Sequence, residues 1–234
     1  MGEAQAIRDA VRHTADALLA VVIAPRCAAC AGVLDAPLDG PVCGRCWERV
    51  RAAPIPFRHR AGFVDLGWAA GDYEGTLREI IHAFKYDGRR TLARPLGDML
   101  REAGADALRG ADCAVPVPLH AWRRLRRGFN QAADLARALE LPVVHAIWRS
   151  RPTVPQTGLT AVGRRRNVRR AFVLSPLVSR ARRAALIEDR VVVLVDDVRT
   201  TGATLDECAR VLKRAGAREV RALTVASASP PGHR

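Results

Sequence analysis

An apolar run, Val191 to Val195, is followed at once by two adjacent carboxylates, Asp196 and Asp197. After Val198 and Arg199 come Thr200, Thr201, Gly202, Ala203 and Thr204. Five consecutive apolar residues have the pattern of a strand buried on both faces. The Thr- and Gly-rich stretch behind it reads as a short loop that opens a helix. Ligands of open parallel sheets bind beyond the carboxyl ends of the strands. Free N–H groups at a helix start, together with the helix dipole, attract a phosphate, and Gly202 lets the backbone approach it closely. Thr200, Thr201 and Thr204 add hydroxyl donors. Asp196 and Asp197 can accept bonds from the two hydroxyls of a ribose, and their charge favours a positively charged sugar transition state. No Gly-Lys-Ser/Thr follows, so the segment is not a P-loop, and it does not match the dinucleotide fingerprint. The bland alternative is an ordinary strand, turn and helix with a chance acidic pair.

A second set of reactive side chains lies near the N-terminus. Cys27 and Cys30 form one C-x-x-C pair, Cys43 and Cys46 another, with twelve residues between them. Two such knuckles place four thiolates so that each pair chelates one ion, and Zn²⁺ takes four sulfurs tetrahedrally. Gly32, Gly40 and Gly44 are placed to make the tight turns. With four protein ligands the site is closed, hence structural and not catalytic. A redox dithiol pair or an iron–sulfur cluster are the alternatives. Cys113, in an apolar strand, and Cys208, within a helix, read as buried small residues.

The elements that must position these groups follow from periodicity. Residues 3–23 read as an amphipathic helix. Phe63–Ala70 reads as a strand, and Gly75–Tyr86 as a helix with Leu77, Ile80, Ile81 and Phe84 on one face. Helices are expected over 91–103, 129–139 and 205–215, the last ended by Gly216, and strands over 113–117, 143–147, 191–195 and 220–226. Strands alternating with helices argue for a parallel sheet covered by helices. The chain divides into an N-terminal helix (1–24), a cysteine module with a Pro- and Arg-rich linker (25–60), an α/β domain (61–228) and a frayed tail (229–234).

The net charge of +14 favours polyanions: nucleic acid, phosphorylated metabolites or a membrane surface. Almost all the basic residues are Arg, the only lysines being Lys85 and Lys213. Heavy Arg beside heavy Ala also fits biased codon usage. No apolar run approaches the roughly 20 residues of a membrane span, and no secretion signal is found. A cytoplasmic location follows, where disulfides are disfavoured.

Several blocks, in order, resemble the ComF family, named for competence protein F and also described as amidophosphoribosyltransferase-like. They are Ala24 to Cys27 with Cys43 to Trp47, Tyr73 to Arg78, Phe84 to Arg89, Val115 to His120, Arg127 to Ala132, then Gln156, Leu159, Arg164 and Asn167, and last Asp196 to Thr204. The resemblance spans about residues 20–227. It implies a type I phosphoribosyltransferase-like parallel sheet flanked by helices, with a small N-terminal four-cysteine zinc module. It implies binding of 5-phosphoribosyl 1-pyrophosphate with Mg²⁺, with Asp196 and Asp197 as catalytic residues and Thr200, Thr201, Gly202, Ala203 and Thr204 around the 5-phosphate. The segment from Val115 to Asn130 would include the loop that contacts pyrophosphate, with Arg127 neutralising it, and Arg151 to Arg170 would be a cover over the site. Lys85, in a family block, either reaches phosphate or is a solvated helix end. The family is linked to DNA uptake and natural transformation. The resemblance supplies no acceptor substrate and gives Arg199, at a position variable in the family, no role.

Three functions share this pocket: a transferase that releases pyrophosphate, a sensor of phosphoribosyl pyrophosphate or a nucleotide, and a single-stranded DNA-binding accessory protein that transfers nothing. The last draws on the clusters Arg123, Arg124, Arg126 and Arg127, then Arg164 to Arg166, Arg169 and Arg170, then Arg180, Arg182 and Arg183, with Trp122 and Phe129 as possible stacking groups.

Overall fold

The computed structural model describes residues 2–51, 58–119, 128–150 and 170–228. Its contacts divide the chain into two compact units, Met1–Ala53 with Glu74–Leu92, and Pro54–Tyr73 with Ala93–Arg234.

The first unit holds helices α1 (Gly2–Ile23), α2 (Gly44–Arg51) and α3 (Gly75–Tyr86). Helix α3 forms over the span its periodicity predicts, and Leu77, Ile80, Ile81 and Phe84 are all buried, as a 3.6-residue stripe requires. Asp16 of α1 is strongly buried. Its carboxylate accepts from Leu38 N–H at 2.8 Å, and Arg12 pairs with Asp39 one turn away, so α1 is held to the 3₁₀ turn Pro37–Asp39. Among the described residues, no helix is long and apolar enough to cross a membrane.

The second unit is built on a five-stranded sheet of β1 (Arg58–Ala61), β2 (Val64–Asp72), β3 (Cys113–Pro116), β6 (Val191–Arg199) and β7 (Glu219–Ser227), in the order β1-β2-β7-β6-β3. The pairs β2–β7, β7–β6 and β6–β3 are parallel, and β1 is an antiparallel edge. Its helices are α4 (Ala93–Ala103), α5 (Ala105–Leu108), α6 (Gln131–Arg137), α7 (Arg180–Leu186) and α8 (Ala203–Arg214). Two short strands, β4 (Ile147–Arg149) and β5 (Phe172–Leu174), pair antiparallel as a separate ribbon.

Side chains alternate across a strand, and the core obeys that rule. Val192, Leu194, Val220 and Ala222 share one cluster with Leu205, Cys208, Ala209 and Leu212 of α8. The intervening Val193, Val195 and Leu223 are as deeply buried, and the opposite face is covered by α4, α5 and α6. There Gly104 leaves room for Leu223: a Cβ on that glycine would come within 2.6 Å of Leu223 Cδ1. A strand buried on both faces reads as an unbroken apolar run, which is why Val191–Val195 is legible in the sequence.

Three expectations are corrected. The strand expected over 143–147 is not formed: Val143 makes a single bridge to Ala114, and Ala146 N–H turns back to Val144 O at 2.8 Å, which bends the chain before β4 begins. Strand β6 runs on to Arg199, so Asp196 and Asp197 lie inside it. Helix α8 starts at Ala203, two residues before the expected Leu205, because Ala203 and Thr204 are too small or polar to extend the apolar stripe that begins at Leu205.

Asn130 fixes where α6 begins. Its Oδ1 accepts from Ala132 N–H and its Nδ2 donates to Val117 O, each at 3.2 Å, so one side chain caps the helix and ties it to the residue after β3. Asn130→Ala is expected to cost about 1–2 kcal/mol, read as a lower denaturant midpoint, with Asn130→Asp losing less because the cap acceptor survives.

Candidate functional site

The carboxyl ends of β3, β6 and β7 lie side by side. Val117 N–H donates to Val195 O at 2.9 Å, extending the β3–β6 pairing past Pro116. The chain that leaves β3 therefore departs one strand spacing from the end of the apolar run, and it returns at Asn130. This brings Val117 and Asn130 to the strand end that carries Asp196. Of the residues between, His120 to Arg127 lie outside the described residues, and Arg127 with them. Gln156, Leu159, Arg164, Asn167 and the basic clusters at 123–127 and 164–169 do so as well.

Asp196 and Asp197 sit in the last four residues of β6. Alternation puts Asp196 on the Val192–Leu194 face, beside α8, where its charge is felt at Cys208. Asp197 points to the other face and is 9% exposed. The Asp196 carboxylate also accepts from Asp197 N–H at 2.9 Å. Across the sheet Asp196 is in register with Thr224, whose hydroxyl is buried and donates to Trp68 O at 3.3 Å.

After Arg199 the chain turns through Thr200 and Thr201 to Gly202, the N-cap of α8, which is left-handed at φ 74° and ψ −3°. A β-carbon makes that conformation costly, so the turn requires glycine. Thr201 Oγ1 accepts from Ala203 N–H at 3.4 Å, Asp206 N–H closes the first turn on Gly202 O at 2.9 Å, and Gly202 itself supplies no side-chain cap. The result is a helix start with its dipole aimed past a small-residue loop, flanked by two carboxylates at a strand end. An anion fits the helix start and a diol fits the carboxylates.

Lys85 lies half-buried in the last turn of α3, in the first unit. A cation there complements the helix dipole whatever else it does.

In the first unit Cys27, Cys30, Cys43 and Cys46 converge, with every sulfur within 4.8 Å of the others. Cys27 and Cys46 sulfurs are 3.9 Å apart, and those of Cys30 and Cys43 are 3.8 Å apart. Four sulfurs held at about 2.3 Å from one Zn²⁺ form a tetrahedron with edges of about 3.8 Å, so the cluster has the size a metal ion needs. Burial opposes ionisation of Cys27, but the N–H groups of Cys43, Cys30 and Ala29 and the Cys30 side chain outweigh it and lower its pKa to about 6. Burial, then bonding to the other three sulfurs, raises Cys46. Of the three glycines expected to form the turns, Gly40 takes a positive φ of 131°, while the left-handed residue of the first knuckle is Ala31, φ 59°. Cys113 and Cys208 are buried and free. Burial, then the Asp112 charge, pushes Cys113 up to about 11, and burial above all raises Cys208 as well. Both are packed into the core as small side chains.

Two side chains at this strand end make contacts that the sequence had not disclosed. Asn130 signals itself as an Asn just before a helix. Arg199 gave no local signal, since its partner Ser227 stands 28 residues away.

Residues 125–231 match the family model described as phosphoribosyl transferase domain. Competence protein F of Haemophilus influenzae is 32% identical over 229 residues, covering 87% of this chain and 97% of that protein. DNA utilization protein YhgH of Escherichia coli K12 is 33% identical over 190 residues, covering 76% of this chain and 74% of that protein. The solved structure of the allosteric regulatory enzyme of purine biosynthesis aligns over 62% of this chain and 27% of its own, at 25% identity and a TM-score of 0.39, a likeness too loose to carry function.

Proposed function

The chain belongs to the competence protein F family, and from that premise we propose that it binds 5-phosphoribosyl 1-pyrophosphate with Mg²⁺ and transfers, or senses, the phosphoribosyl group in the uptake or use of DNA. The observation that carries this reading is the end of β6: two carboxylates, a Thr–Thr–Gly turn and the start of a twelve-residue helix within nine residues, Asp196 to Thr204. Thr200 to Thr204 hold the 5-phosphate through hydroxyl and backbone donors. Asp196 and Asp197 take the ribose hydroxyls, which a sugar lying beyond the strand end can offer to both faces. Arg127 neutralises pyrophosphate, and Lys85 is a second candidate for a phosphate contact. Bound Mg²⁺ would offset charge on the pyrophosphate and the ribose oxygens.

In the transfer itself the bond from C1 to a pyrophosphate oxygen breaks, its electron pair leaving with pyrophosphate. An acceptor nitrogen, of an amine or a base, bonds to C1, and its proton passes to solvent. The protein's part is positioning and charge stabilisation. The four cysteines hold a structural zinc.

Calorimetric titration of 5-phosphoribosyl 1-pyrophosphate with Mg²⁺ into the zinc-loaded protein tests this, beside the Asp196→Asn/Asp197→Asn double variant. Binding by the parent alone is the expected result. A second reading, single-stranded DNA binding, is favoured by α7, which exposes Arg180 and Arg182 and has no acid in its first turn. If neither protein binds the sugar phosphate and single-stranded DNA binds with an affinity that falls steeply between low and physiological salt, the second reading replaces the first.

A further inference from the structure

We propose that Arg199 is a positioning residue of the phosphate loop, fixing the Thr200–Gly202 turn against the end of β7 and setting a positive charge beneath it. The inference rests on the sugar-phosphate reading above and assigns a residue to which the family resemblance gives no role.

The backbone at this point is pinned. Arg199 is the last residue of β6, in register with Ser227, the last of β7. Its carbonyl accepts from Ala228 N–H at 2.7 Å, and the Ser227 carbonyl accepts from Tyr73 N–H at 2.9 Å. The phosphate loop therefore departs from a strand end held firmly to its neighbour.

The side chain then bridges. Arg199 Nη1 donates to Ser227 Oγ at 3.1 Å, and Ser227 is 1% exposed. The same guanidinium runs under the apex of the turn: a Cβ on Gly202 would lie 3.3 Å from Arg199 Nε and 3.9 Å from Nη2. Gly202 is thus held to glycine twice, by its positive φ and by the guanidinium against it. A methyl group there would require the guanidinium to give by a few tenths of an ångström.

The electrostatics give the arrangement a direction. A helix N-terminus carries the positive end of the dipole, so a cation beside it is on the unfavourable end. Burial opposes the Arg199 charge further and lowers its pKa. Both costs are relieved when an anion occupies the loop. A half-buried guanidinium beneath a helix start whose N-cap glycine supplies no side-chain acceptor fits a site whose occupied state carries a phosphate dianion. Arginine spans both contacts with one planar fork, which the single ammonium of lysine does not.

Ribose 5-phosphate, without Mg²⁺ or pyrophosphate, probes the phosphate loop together with the two ribose-binding carboxylates. Its affinity is measured by calorimetry at several salt concentrations for the parent, Arg199→Met, Arg199→Lys, Ser227→Ala and the Asp196→Asn/Asp197→Asn double variant, with each fold checked by thermal melting. Arg199→Met is expected to bind about 10- to 100-fold more weakly and with a shallower salt dependence. Arg199→Lys regains the salt dependence and part of the affinity, and Ser227→Ala, keeping the charge but losing its anchor, weakens binding a few-fold with the slope unchanged. Arg199→Met binding within twofold of the parent, with the same slope, overturns the proposal and leaves the phosphate site standing. If Arg199→Met does not fold, Ser227→Ala and Arg199→Lys binding both like the parent overturn it equally. No binding by the parent, or equal binding by the double variant, overturns the sugar-phosphate reading and this inference with it.

Discussion

Replacing Asp197 with asparagine is expected to weaken binding of 5-phosphoribosyl 1-pyrophosphate by about 10- to 100-fold, the loss of one charge-assisted bond. It is also expected to abolish pyrophosphate release with any acceptor that the parent uses. Asp197 is buried at 9% exposure near the end of β6, so its charge is carried at a desolvation cost. Asparagine keeps the shape of the side chain and one oxygen acceptor while removing the charge. The variant should therefore fold like the parent, as thermal melting checks, and this separates a ligand-binding role from a structural one. Asp196→Asn makes the contrast. Its carboxylate also accepts from Asp197 N–H, and an asparagine carbonyl can keep that bond, so its fold should survive while ribose contact weakens. An Asp197→Asn protein that turns over and binds like the parent would remove Asp197 from the site. One that unfolds would make its role structural.

The part of this site that the sequence disclosed is the part carried by neighbours in the chain. Val191–Val195 stands out because a doubly covered strand tolerates no polar residue, and the Thr–Thr–Gly turn follows directly. The four cysteines stand out because chelation demands its spacing. What stayed hidden depends on partners brought together by pairing. Strand β6 continues through Asp196, Asp197 and Arg199, residues whose polarity reads as loop, because β7 on one side and Val117 on the other supply hydrogen bonds whatever the side chains are. The Arg199–Ser227 bond exists only once that parallel register is set. Strand β1, Arg58–Ala61, was read within a linker because its charged residues resemble one, yet an edge strand needs neighbours on one side only and accommodates charge. In the cysteine module the reverse held. Glycines were expected at each tight turn, but the first knuckle places Ala31 in the left-handed region, φ 59°, where its N–H donates to Cys27 O at 2.9 Å and closes the turn.

Stripping the metal is expected to undo the cysteine module. Between residues 24 and 51 the buried hydrophobic side chains are Cys27, Leu34, Val42, Cys46 and Val50, and two of those are themselves ligands. So small an apolar set cannot offset the conformational entropy of nearly thirty ordered residues. Small zinc modules draw about 10–16 kcal/mol from the ion instead. The protein as purified is therefore expected to hold one zinc per chain. Chelation, or Cys46→Ser, is expected to release it and open residues 24–51 to protease. Cys113→Ser, at a buried cysteine outside the cluster, should leave the zinc content unchanged. The pH dependence has a fixed sign. Each sulfur binds as thiolate, protons compete for it, and so the ion is retained at neutral pH and released as pH falls. Release that grows as pH rises from neutral, or a stoichiometric zinc content that survives Cys46→Ser, would mean that the metal is held elsewhere. A chelated protein whose module resists protease as before would mean that its fold stands without the ion.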